Sequence, residues 1–99
     1  MTAVDRIELL KSAFQSEAEF DLVLSKLLNA ALARQRAQLT EYDRELKNFE
    51  QRYEMDSAMF QRQFEAGALG DAMDFFEWHG LCQLRKRVAD KVHTLESAR

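Results

Sequence analysis

His79 and Cys82 stand one helical turn apart, the spacing at which two side chains of one helix could hold a metal ion, with Glu77 close by. Zinc would need two further soft ligands, and the only other histidine, His93, lies distant along the same stretch. The pair therefore reads as a cysteine turned to a core beside a partly exposed histidine. Asp90 and His93 reproduce the acid–imidazole step of di-iron bundles, but such centres need partner glutamates and a second pair. The chain supplies neither. It also lacks a Walker loop, a dinucleotide-binding glycine pattern, a nucleophile elbow and any Cys-x-x-Cys pair. The expectation is a protein that is not an enzyme and needs no metal or cofactor.

Basic residues are a second kind of chemistry. Arg85, Lys86, Arg87 and Lys91 could touch phosphate, yet Asp90 and Glu96 interrupt the run. Cations near a helix C-terminus are explained by the macrodipole and by solvation. Net charge is −3, from 17 acidic and 14 basic residues, which argues against a dedicated nucleic-acid binder and leaves room for a basic partner. The lone Cys82 permits no internal disulfide, and the N-terminus lacks a signal-peptide layout. No apolar run is long enough to span a bilayer. A cytoplasmic protein without membrane contact is expected.

The elements that position these groups are all helices. There is no proline in 99 residues, and the three glycines all fall at or after Gly67. A strand-rich chain of this length would need far more turn punctuation. Thr2 with Asp5, then Ser16 with Glu19, have capping-box spacing and predict helices over about 3–14 and 17–53, one continuous helix being the alternative. In the long helix a wide apolar face from Phe20 through Leu24 and Leu28 to Leu32 narrows to a seam at Leu39, Tyr42, Leu46, Phe49 and Tyr53. Asp56 and Ser57 start a helix over 57–66 that Gly67 stops, and Asp71 with Asp74 starts a last one over 72–97. That last helix repeats Trp78, Leu81, Leu84, Val88, Val92 and Leu95 at threes and fours. The fold expected is one all-α domain, residues 1–99. Its last helix folds back antiparallel on the long one, and short elements form the hairpin tip.

So long an arm on so short a chain predicts a homodimer, with Phe20, Leu24, Leu28, Leu32, Leu39 and Tyr42 at the interface. Phe75, Phe76 and Trp78 crowd the start of the last helix with Asp71, Asp74 and Glu77 among them. Rings in excess of one seam predict a partner-binding site formed by these six residues. The alternative is that all three rings close the tip over Phe60 and Phe64.

The run Phe60, Phe64, Gly67, Gly70-Asp71 and Asp74-Phe-Phe-Glu-Trp78 resembles a pattern in short helical antitoxin-like proteins of prokaryotic toxin–antitoxin pairs. The likeness spans about residues 49–84. It implies a chain that binds and silences a small, basic toxin. Antitoxins often join a DNA-binding module to a disordered toxin-binding tail, and neither is legible here, so neutralisation would fall to the folded helices. A coiled-coil adaptor or chaperone-like subunit is the runner-up, followed by a nucleic-acid-associated regulator using the basic last helix.

Overall fold

Thr2 accepts the Asp5 amide on its hydroxyl while the Asp5 carboxylate accepts the Thr2 amide, and this reciprocal cap opens α1, Ala3–Ser12. The computed structural model describes residues 1–99. Ser16 caps α2, Glu17–Tyr53, by accepting the Glu19 amide at 3.1 Å. Asp56 caps α3, Ser57–Glu65, through the Met59 amide, and α4 runs Met73–Ser97. Helices and their order match the sequence expectation, and two details differ. Asp71 does not cap α4: the cap position is Ala72, which has no side chain to offer, and Asp74 turns to α2 instead. The other concerns the end of α2, where Glu54 takes a left-handed conformation, φ 51°, a place where glycine is usual. Gly67 is left-handed too, φ 69°, and stops the tip helix as its position implies.

Helix α4 folds back antiparallel along α2, and the ion pairs between them record the register. Arg52 meets Asp74 at 2.9 Å, Arg85 meets Asp43 at 2.5 Å and Arg36 meets Glu96 at 2.7 Å. All three are exposed, so each adds at most about 1 kcal/mol. Burial of apolar side chains along the seam carries the pairing. Leu32, Leu46, Leu81 and Val92 are buried there, and α3 closes the tip with Phe60. The molecule is a rod, 61 × 26 × 18 Å, with a radius of gyration of 19.8 Å. A compact domain of this length would have about 13 Å.

Helix α1 buries none of its residues; its Lys11 pairs with Glu17 at 3.4 Å, and just past its end Phe14 meets Phe20, ring centroids 5.4 Å apart. Beyond the C-terminal end of α4, the first turns of α2 therefore carry their apolar face uncovered. Leu22, Leu24 and Leu27 are exposed there, as are Val4, Ile7 and Leu10 on α1. No helix is long and apolar enough to cross a membrane.

Candidate functional site

The tip is built around Trp78. Its indole is fully buried, stacked on Phe60 at 3.9 Å and 5° and flanked by Phe49 and Tyr53. The indole N–H donates to the Ser57 hydroxyl at 3.0 Å, so its one polar atom is paired inside the tip. Phe75 packs half-buried against Tyr53 and Phe60. Trp78 is thus core, and its expected place in the partner-binding set is corrected: residues 75, 78 and 82 share one face of α4, and that face meets α2 and α3. Phe76 lies on another face and is 52% exposed, its ring set at right angles to that of Phe64 with centroids 5.6 Å apart.

The six residues expected to form one site are therefore divided. Phe75 and Trp78 face inward, and Phe76 with the exposed Asp71 and Glu77 faces out. Asp74 belongs to neither set. It accepts from the Tyr53 hydroxyl at 2.5 Å and from Arg52 at 2.9 Å, and these two hydrogen bonds hold its carboxyl below the ordinary carboxylate range. The same bond raises the Tyr53 phenol. A depressed Asp74 contributes stability at neutral pH that fades as pH falls through its folded value. Asp74→Asn should therefore melt below the parent at neutral pH, and the gap should close as pH drops below about 4. Melting both proteins across that range checks the assignment, and a gap that ignores pH would exclude the charge as its cause.

A groove runs beside these outward residues, between α2 and α4, lined among others by Phe49, Arg52, Phe76, Glu77, Gly80 and Leu84. Gly80 and the outward position of Leu84 were not singled out from the sequence as parts of a surface. Their signal was present: 76, 80 and 84 recur every four residues, a ridge beside the buried seam. Arg52 lies over the Phe49 ring at 5.4 Å while bonded to Asp74, so the remaining acids of this face, Glu45, Asp71 and Glu77, have no cationic partner within the chain.

The residues expected at a dimer interface divide as well. Leu32, 1% exposed, is buried within the single chain and is corrected to an intrachain position, whereas Tyr42 packs half-buried beside the tip core and Leu39 is half-buried. Phe20 is covered by Phe14, Leu28 is half-buried and Leu24 is exposed. Elsewhere, His79 Nδ1 meets Gln61 Oε1 at 2.6 Å and the ring stacks on Phe64. Burial pushes the Cys82 thiol up, away from the reactive thiolate. No three His, Cys, Asp or Glu side chains converge as a metal site would require. In the basic run, Arg85 is engaged by Asp43.

No family model, no curated protein and no solved structure matches this chain.

Proposed function

We propose that the chain is a non-catalytic protein-binding protein that captures a basic partner on the outer face of α4, as an antitoxin-like neutraliser would. It acts in the cytoplasm, and the rod self-associates when the partner is absent. The observation that carries this reading is Phe76, half exposed beside the exposed Met73 and Leu84 and flanked by the unpaired carboxylates Asp71 and Glu77. An exposed ring among carboxylates suits a cationic partner, whose approach the acids steer and whose apolar side chains Phe76, Met73 and Leu84 hold. The bare apolar arm of α1 and α2 favours the adaptor alternative, in which the rod joins two proteins end to end.

Co-expression with the product of the adjacent reading frame tests the first reading. A basic protein of defined stoichiometry should co-elute with the chain at low salt and separate more readily as salt rises. Elution of the chain alone at low salt would remove the neutraliser reading.

A further inference from the structure

The chain exposes more surface than its mass requires. Its accessible surface is 7487 Å², against about 5,800 Å² for a compact monomer of 11.5 kDa. The excess, roughly 1,700 Å², is of the order that one subunit covers in an obligate dimer.

Two features of that surface complement each other. On α2, positions 24, 31, 38, 45 and 52 recur every seven residues, as do 27, 34, 41 and 48, along one flank of the helix. Towards the N-terminus this flank is apolar, with Leu24, Leu27 and Ala31 exposed beyond or beside the end of α4. Towards the C-terminus the same flank becomes the floor of the groove, at Glu45, Asn48 and Arg52, with Phe76, Gly80 and Leu84 as its wall. Gly80 is the telling residue. It sits inside α4, where glycine weakens a helix relative to alanine, and a Cβ there would meet nothing within 4 Å. Nothing inside the chain requires that position to be bare.

We propose that α2 of a second copy lies antiparallel in this groove, about a two-fold axis beside Gln38, with its Leu27 seated over Gly80. An axis at Gln38 sets Leu24 of the second copy opposite Arg52 and beside Phe76. It sets Leu27 opposite Phe49, at the level of Gly80, and Ala31 opposite Glu45, near Leu84. Large side chains thus meet small ones at two levels, Leu27 on Gly80 and Leu84 on Ala31, as knobs meet holes. Arg34 of the second copy comes beside Glu41 and Glu45; within one chain neither Arg34 nor Glu45 has an ion-pair partner. The symmetry repeats every contact, so both bare arms and both grooves are covered at once. This extends the protein-binding reading of the same face, and Phe76 makes a second copy and a foreign partner mutually exclusive there.

The test uses the pure 99-residue chain, so its outcome is independent of any partner protein. Light scattering at micromolar concentration should give two chains per particle. Gly80→Leu should keep or raise the melting temperature when measured on the monomeric Leu27→Asp background, since within one chain the side chain enters open space. In the otherwise unchanged chain it should weaken the dimer by about 30-fold or more by filling the seat of Leu27. Leu27→Asp should give a monomer of unchanged helicity. On a Cys82→Ser background, oxidation should cross-link Gln38→Cys to itself, and Leu24→Cys to Arg52→Cys only when the two are mixed. A monomeric parent, a Gly80→Leu chain that dimerises as the parent does, or self-linking of Leu24→Cys would each overturn the proposal.

Discussion

Trp78→Ala should lower the unfolding free energy by about 3–5 kcal/mol, a large share of what a domain this small can have. The indole is fully buried and its face lies 3.9 Å from Phe60. Its removal opens a cavity between α2, α3 and α4 that the rigid helix backbones cannot collapse around. It also strips the Ser57 hydroxyl of its donor, adding about 1 kcal/mol. In a domain of about 100 residues this corresponds to a fall in Tm on the order of 15–30 °C. Thermal melts followed by circular dichroism decide the point. A variant melting within a few degrees of the parent would mean that Phe60 and Phe49 close over the gap and that the tip is not the organising core.

That core was only partly legible in the sequence. The hairpin was legible because its signals are local and mutually consistent: caps at Thr2, Ser16 and Asp56, a stop at Gly67, and heptad spacing through Leu32, Leu39 and Leu46. Which helix met that seam was less clear. The same leucine stripe would serve a second chain or the chain's own α4, and apolar burial gives it to α4 in the register that Arg85 on Asp43 records. Rings at 75, 76 and 78 look equivalent as composition and differ by rotation. At about 100° per residue, Phe75, Trp78 and Cys82 share a face, whereas Phe76 joins Gly80 and Leu84. The cap of α4 was misread for a related reason. Asp71 and Asp74 have the right spacing, but Tyr53 and Arg52 on another helix offer Asp74 stronger bonds than a free amide, and sequence spacing cannot reveal a competitor 21 residues away.

Phe76→Ala should separate binding from stability as no inward ring can. The side chain is 52% exposed and the aromatic ring it meets is Phe64, at right angles, so its removal leaves little cavity and should move Tm by only a few degrees. At a protein interface the same truncation removes an aromatic anchor, with a cost of about 2 kcal/mol or a 30-fold rise in Kd. The measurement is cleanest on a Leu27→Asp background, where a second copy no longer competes for the groove. Glu77→Lys on that background supplies the electrostatic half of the argument. Reversing an exposed charge should slow association with a cationic partner and leave the melt alone, and the effect should shrink as salt is raised. If Phe76→Ala instead lowers Tm as far as Trp78→Ala does, Phe76 is part of the core, and the partner surface must be sought on the bare arm around Leu24 and Leu27. Unchanged affinity with an unchanged melt would leave Phe76 outside both roles and end the case for the outer face of α4.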